Sequence, residues 1–262
     1  MSAEKTEAIV IRLADFSESS RVVTLYSKDF GKISCLAKGA KRLRSAFDSA
    51  LDLLSRCGVV LLPRSSGALH LLTEAQLLGR FHPPPRSLNH LYGGYYIAEL
   101  LDALTEPDDP HPELYDVAVQ SLASLSIASN ESAPVSDSSP LDARIPILQF
   151  ELAILREIGQ LPDFTTCCLC GTPVTSGSAG RYWVSEGGVI CANCGQPEYQ
   201  HTEVSPGIIT IVSRLSDPEQ TQLARRLVLQ PRQWQEVRRL VTSVICHALG
   251  KRPKMLAYLN FK

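Results

Sequence analysis

Two C-x2-C pairs, Cys167/Cys170 and Cys191/Cys194, stand in one stretch that reads CCLCGTPVTSGSAGRYWVSEGGVICANCG from Cys167 to Gly195, with twenty residues between the pairs. No other feature of the chain limits its fold so narrowly. Four thiolates at this spacing suit a tetrahedral zinc site of the ribbon or knuckle type. Gly171 and Gly195 follow the second cysteine of each pair. Glycine there lets the backbone fold back so that its N–H groups point at the sulfurs. The segment Arg181–Ile190 is expected to form a small β-hairpin turning at Gly187-Gly188, which brings the two pairs together. A segment this short has no core of its own, so the zinc expected here is structural, a staple rather than a reaction centre. A thioredoxin-like redox pair needs a βαβ context, and none is visible. Cys168 is a spare thiol, an alternative ligand or a bystander.

Five of the eight cysteines fall between 167 and 194. That clustering argues for a metal site in a reducing cytoplasm and against a disulfide framework. The start, Met1-Ser-Ala-Glu-Lys5, has no basic segment leading into an apolar run, so no secretory signal is expected. The apolar run from Cys57 to Leu62 stops at Pro63-Arg64, too short for a membrane span. With 262 residues, 44% hydrophobic and 20% charged, the chain has the material for two domains or one large one.

The net charge of −1 hides an uneven distribution. Residues 1–80 carry twelve Lys/Arg against eight Asp/Glu, residues 81–142 one against ten, and residues 205–262 ten against three. Both ends are basic and the middle is acidic, which fits distinct cationic and anionic contact surfaces.

Residues 7–78 read as β structure. Glu7–Leu13 alternates, with Ala8, Val10 and Arg12 on one face and Ile9, Ile11 and Leu13 on the other. Further strands are expected at Arg21–Ser27, at Gly31–Ala37, at Ser49–Leu54 continuing through Gly58–Leu62, and at Ala68–Leu77. Five short strands separated by turn signals predict a Greek-key barrel of the OB type. A cationic run crosses it: Lys28, Lys32, Lys38, Lys41, Arg42 and Arg44, opposed only by Asp29. Cations on a loop such as Lys38–Ser45 offer phosphate contacts, Arg in bidentate geometry. Aromatics are few: Phe16, Tyr26, Phe30 and Phe47.

His82-Pro-Pro-Pro-Arg86 is a stiff linker, and beyond it the apolar spacing turns helical. Helices are expected at Leu88–Leu104, Glu113–Ile127, Leu141–Ile158, from Ser205-Pro206 through Leu215, at Gln220–Val228 and at Pro231–Leu249. The Ser/Pro-rich stretch 129–140 is expected to be a loop without a role assigned to it. The fold class is therefore α+β multidomain. Residues 1–80 form an OB-fold barrel, 81–160 with 200–262 an all-α domain, and 161–199 an inserted four-cysteine zinc-binding hairpin.

Catalytic motifs are missing. Gly31-Lys32 and Gly250-Lys251 lack the upstream glycine and following Ser/Thr of a phosphate-binding loop, and there is no HExxH, GxSxG or GxGxxG. The six histidines are scattered, and Asp108-Asp109 lie between prolines in a loop. A non-catalytic protein is expected.

The order of parts resembles the bacterial DNA repair and recombination mediator family RecO, over nearly the whole chain. EAIVIRLADFSESSRVVTLYSKDFGKISCLAKGAKR is similar to that family's amino-terminal OB segment, in the polar turn before Arg21, in Phe30-Gly31-Lys32 and in Lys38-Gly39. FELAILREIGQLPDFTTCCLCG and GGVICANCG are similar to its helix and cysteine pairs, and Leu249-Gly250-Lys251-Arg252-Pro253-Lys254 to its closing helix. Departures are the Ser/Pro stretch and the cysteines themselves, which are not universal among such proteins.

The resemblance implies a cytoplasmic protein, nucleoid-associated during repair in the RecFOR pathway. Such a protein binds single- and double-stranded DNA and anneals complementary strands. It engages RecR and the acidic C-terminal tail of the single-strand binding protein SSB, and so helps load RecA. The expected phosphate contacts are Arg21, Lys32, Lys38, Lys41, Arg42 and Arg44; Arg225, Arg226, Arg238, Arg239, Lys251, Arg252 and Lys254 are the candidates to receive the SSB tail or more DNA. The rival reading is a zinc-stabilised adaptor that binds protein partners only.

Overall fold

In the computed structural model of the chain, β1 (Glu4–Asp15) is the longest strand and closes a barrel on itself. Its second half pairs antiparallel with β2 (Arg21–Ser27), and its first half with β4 (Arg56–Leu62). β3 (Gly31–Ala37) runs antiparallel to β2, and β5 (His70–Gly79) antiparallel to β4. A short parallel contact of β5 with β3, Cys35–Ala37 against His70–Leu72, completes the closed order β1-β2-β3-β5-β4. This is the five-stranded OB barrel that the strand spacing predicts. The structure describes residues 2–42, 45, 47, 50–64, 69–126, 142–174, 180–183, 185–196, 201–217 and 229–260.

Inside the barrel, Val23, Leu25, Ile33, Cys35, Val59 and Leu61 form the centre of the core. Ala8 and Val10 join them, but the simple alternation does not hold along β1. The register with β2 shifts between Val10 and Arg12, so Ile11 is an extra, bulged residue. Past the bulge Leu13 packs on the core and Arg12 is exposed. Ile9 and Ile11 are buried as well, and the first helix packs against this strand. A bulge reverses the faces beyond it, which is why Arg12 does not share the face of Ala8 and Val10.

The strand expected from Ser49 to Leu54 is a correction. Ala50–Leu54 forms turns, and the strand begins only at Arg56. Asp52 Oδ1 accepts from the Leu53 amide at 2.8 Å, Ser55 N donates to Asp52 O, and Leu54 takes φ +64°. Asp bonding its own backbone favours a turn over a ladder. The apolar residues that imitate a strand, Phe47, Ala50 and Leu51, pack instead on the barrel core.

Beyond the linker come α1 (Leu88–Leu104) and α2 (Pro112–Ser124). Their connection lies against the start of β3, where Asp108 N donates to Lys32 O at 3.0 Å. The Gly31 Cα is pressed against the same loop, since a Cβ there would stand 2.0 Å from Asp109 O, and its φ is +65°. Gly31→Ala is therefore expected to destabilise the first 146 residues by about 2–3 kcal/mol, from positive-φ strain plus a backbone clash. Urea unfolding followed by tyrosine fluorescence measures it, and a loss under about 0.5 kcal/mol would mean the loop does not dock as described.

Two compact units result, Met1–Pro146 and Ile147–Lys262. α3 (Arg144–Glu157) begins at the end of the first and runs on into the second. β6 (Gly180–Trp183) and β7 (Gly188–Ile190) form the expected hairpin, and Ser185–Gly187 makes the turn. A third strand, β8 (His201–Val204), pairs with β6 and gives the sheet order β7-β6-β8. α4 (Pro206–Leu215) and α5 (Pro231–Leu249) follow, then a single 3-10 turn at Met255–Ala257. α5 buries Trp234, Val237, Leu240, Val241, Val244 and Ile245 on one face. The helix expected at 220–228 and the Ser/Pro stretch at 129–140 lie outside the described residues. No helix among the described residues is long and apolar enough to cross a membrane.

Candidate metal centre and nucleic-acid interface

The cysteine pairs sit on two tight turns that face each other. In the first, Gly171 N donates to Cys167 O and Cys167 N to Thr172 O, both at 2.9 Å, with Gly171 at φ +70°. In the second, Cys194 N donates to Cys191 O at 3.2 Å. β7 delivers Cys191 directly, and Cys168 N donates to Val189 O at 2.8 Å, which ties the first turn to that strand. The four sulfurs of Cys167, Cys170, Cys191 and Cys194 lie within 4.8 Å of one another. The Cys191 amide points at Cys167 Sγ at 3.4 Å. Cys168 is not among the four.

The hairpin turn needs both its glycines, for different reasons. Gly187 has φ +64°, whereas a side chain at Gly188 would strike Cys168 Cβ at 2.7 Å. Gly195 is not in a left-handed conformation; a Cβ there would meet Arg181 Nη1 at 2.7 Å, so its smallness makes room for a side chain.

The thiols share protons unevenly. Hydrogen bonding with Thr172, above all with its side chain at 3.2 Å, brings Cys170 down to about 6. Bonding with Cys170 and Cys191 pushes Cys194 up to about 12. Four converging sulfurs cannot all be thiolates without a cation between them. The donor set, with a backbone N–H aimed at one sulfur, fits a soft or borderline dication with tetrahedral preference. The other buried thiols belong to the barrel core, where burial pushes Cys35 up to about 12 and Cys57 up to about 11; neither is a ligand.

The cationic run on the barrel separates into two groups with different roles. Lys28 Nζ binds Asp116 at 2.8 Å and lies 6.0 Å from the centre of the Tyr115 ring. Lys32 Nζ donates to the carbonyls of Asp102 and Thr105 at the end of α1. It satisfies orphan carbonyls and meets the negative end of the helix dipole. Both lysines tie helices to the barrel, and Lys32 is corrected from a phosphate contact to a helix cap.

The second group lies about 20 Å along β3 from the first. Arg21 opens β2 opposite Ala37 at the end of β3, and Lys38 follows. Gly39 at φ +75° turns the chain back, and Lys41 N donates to Ser19 O at 3.1 Å. This brings the 38–42 loop against the β1–β2 loop. Asp15 binds Arg21 Nε at 3.2 Å and Lys41 Nζ at 3.0 Å. Lys41, ahead of Arg21, holds the Asp15 carboxyl below its usual range. Lys38, Lys41 and Arg42 are exposed. Arg44 lies outside the described residues.

In the second unit Arg238 is buried and bidentate on Glu151, which is fully buried in α3. Its guanidinium is taken up by this ion pair, while the residue also lines the groove between α5 and the 3-10 turn. Arg239 and Arg252 are exposed and line a groove of about 550 Å³ with Leu256 and Leu259. Lys251 and Lys254 are exposed beside it, and Arg225 and Arg226 lie outside the described residues. Sequence reasoning missed Glu151, although a carboxylate amid Ile147, Phe150, Ile154 and Leu155 demands a buried partner. It also missed Asp15 and Thr172, which signal nothing until the fold places them.

Residues 1–81 match the family described as Recombination protein O N terminal, and residues 85–257 match Recombination protein O C terminal. The chain is similar to the DNA repair protein RecO of Rhodopirellula baltica, 40% identical over 195 residues, 74% of this chain and 67% of that protein. It is 30% identical to the DNA repair protein RecO of Anaeromyxobacter dehalogenans strain 2CP-1 over 260 residues, 99% of this chain and 97% of that one. The Myxococcus xanthus protein of the same name is 28% identical over 253 residues, 97% of this chain and 95% of that one.

Proposed function

Because the chain belongs to the RecO family of recombination proteins, we propose that it acts in DNA repair as a non-catalytic mediator. It binds single- and double-stranded DNA through the barrel and anneals complementary strands. With RecR it helps load RecA onto SSB-coated DNA, in the cytoplasm and at the nucleoid during repair. The observation that carries this reading is the gathering of Arg21, Lys38, Lys41 and Arg42 on one rim of the barrel, held by hydrogen bonds between two loops. An exposed cationic rim of that kind neutralises phosphates without reading sequence.

The remaining parts take supporting roles. Residues 1–80 carry DNA, and residues 81–160 with 200–262 form the scaffold for partners. The 161–199 module is held by zinc on Cys167, Cys170, Cys191 and Cys194. The groove with Arg239 and Arg252 above Leu256 and Leu259 receives the SSB tail. A guanidinium beside an apolar groove suits an acidic, hydrophobic C-terminal peptide.

Annealing of a complementary oligonucleotide pair precoated with SSB, without nucleotide and at two salt concentrations, tests the reading. Acceleration that fades with salt is expected. Replacing Lys38, Lys41, Arg42 and Arg44 together by Ala should weaken binding to every sequence and make the log–log salt slope shallower by up to about 3.6 for duplex DNA. The melting temperature should be unchanged. Unaltered affinity removes the loop from the site. No annealing and no DNA binding at all would leave an adaptor for protein partners.

A further inference from the structure

Phe16 is the most exposed large apolar side chain among the described residues, at 62%. It does not stand alone. It occupies the β1–β2 loop next to Asp15, the carboxylate that holds Arg21 and Lys41. Its backbone is fixed on every side. Phe16 N donates to Ser20 O at 3.1 Å and Ser17 N to the same oxygen at 3.2 Å, while Ser20 N returns a bond to Ser17 Oγ at 3.1 Å. The cationic loop is bonded onto this turn through Lys41 N to Ser19 O and Lys41 Nζ to Ser17 O. A hydrogen-bonded turn therefore presents an exposed aromatic residue on a loop tied to the cationic one.

An isolated apolar side chain on a surface is ordinary. One held on a hydrogen-bonded loop that the cationic loop is tied to has a specific use, because unstacked nucleobases carry an exposed π-face that double helices hide. The other barrel aromatics lack this position: Tyr26 is fully buried, Phe47 is in the core and Phe30 packs against it.

We infer that Phe16 is a stacking platform for one unpaired base, so that the rim prefers single-stranded over double-stranded DNA. This rests on the barrel rim being the DNA surface. The cations supply affinity that both forms of DNA share, and the ring supplies the difference. Base–aromatic stacking is indifferent to which base is bound, so the preference carries no sequence information. Asp15 does not oppose it, since its charge is spent on Arg21 and Lys41, and it fixes their heads beside the loop that carries Phe16.

The test compares full-length wild-type protein and Phe16→Ala on three oligonucleotides: a single strand, a hairpin duplex, and a strand with abasic sites, which keeps its phosphates and loses its bases. Phe16→Ala is expected to weaken single-strand binding about 5- to 150-fold. Duplex affinity should stay within about twofold, and the salt slope should not change, because no phosphate contact is lost. Wild type should discriminate against the abasic strand and Phe16→Ala should not. Phe16→Trp should restore binding, with fluorescence quenched by the single strand. The side chain is exposed, so the melting temperature should not move. If the four-cation variant loses DNA while Phe16→Ala keeps its single-strand preference, the stacking role is wrong and the DNA surface stands. If both variants bind as wild type, the rim is not the DNA surface and the stacking role falls with it. Equal losses of single strand and duplex in Phe16→Ala would also overturn the inference.

Discussion

Replacing Cys191 by Ser is expected to release zinc and to unfold the module from about residue 160 to residue 204, while the barrel stays folded. The magnitude follows from how the module is built. Its sheet has three short strands, Gly180–Trp183, Gly188–Ile190 and His201–Val204. Few large side chains fill it, Tyr182, Val189 and Ile190 chief among them. So little core offsets only part of the entropy lost on ordering the segment. Zinc held as proposed would supply a large share of the rest, since structural zinc sites of this kind bring about 10–16 kcal/mol of binding energy that is also folding energy. The expected readouts are zinc content, and amide exchange that becomes fast in 160–204 and stays slow in β1–β5. Cys168→Ser is the control. Its sulfur is outside the four-sulfur cluster, so that variant should keep its metal. Metal loss in Cys168→Ser, or a Cys191→Ser protein that keeps slow exchange throughout the module, would overturn the ligand assignment. Chelation of the wild-type protein should reproduce the Cys191→Ser pattern.

Much of this architecture is legible in the chain because local chemistry sets it. β2 and β3 fall where the strands are expected because Asp29-Phe30-Gly31 makes the turn between them. α1, α4 and α5 begin and end where expected, the last two because Pro follows the N-cap residue and Gly250 at φ +65° stops α5. The cysteine cluster is legible because ligand spacing is a covalent constraint.

What is not legible depends on partners distant in sequence. The bulge at Ile11 shows only when β1 must serve both β2 and β4. Residues 50–54 imitate a strand because their apolar side chains fill the same barrel from a turn. Lys32 belongs to a cationic run in sequence and to the carbonyl end of α1 in space, seventy residues away. A charge count cannot tell a solvated lysine from one that caps a helix, and the same failure of counting applies to Arg238.

Glu151→Gln should destabilise the second unit by about 3–5 kcal/mol, the loss known for a buried ion pair deprived of one member. Glu151 has no solvent exposure, and the Arg238 side chain keeps 8%. Neutralising the carboxylate deprives the nearly buried guanidinium of its opposite charge. α3 buries apolar residues on both sides of Glu151. At roughly 2–4 °C per kcal/mol the melting transition should fall by about 10 °C. Arg238→Met alone should be similarly harmful, because the carboxylate is then stranded. Glu151→Leu with Arg238→Met should recover most of the loss, since apolar replacement of a whole buried pair is often neutral or stabilising. A double-mutant cycle therefore separates the pair's coupling from its desolvation. The same double variant separates core from surface in function. It should still bind an SSB tail peptide, whereas Arg239→Ala with Arg252→Ala should bind it weakly at unchanged melting temperature. Loss of peptide binding in the stable double variant would return Arg238 to the partner surface. A Glu151→Gln protein that melts within about 2 °C of wild type would mean that the carboxylate is hydrated, and that the helices of the second unit are not packed on each other through this pair.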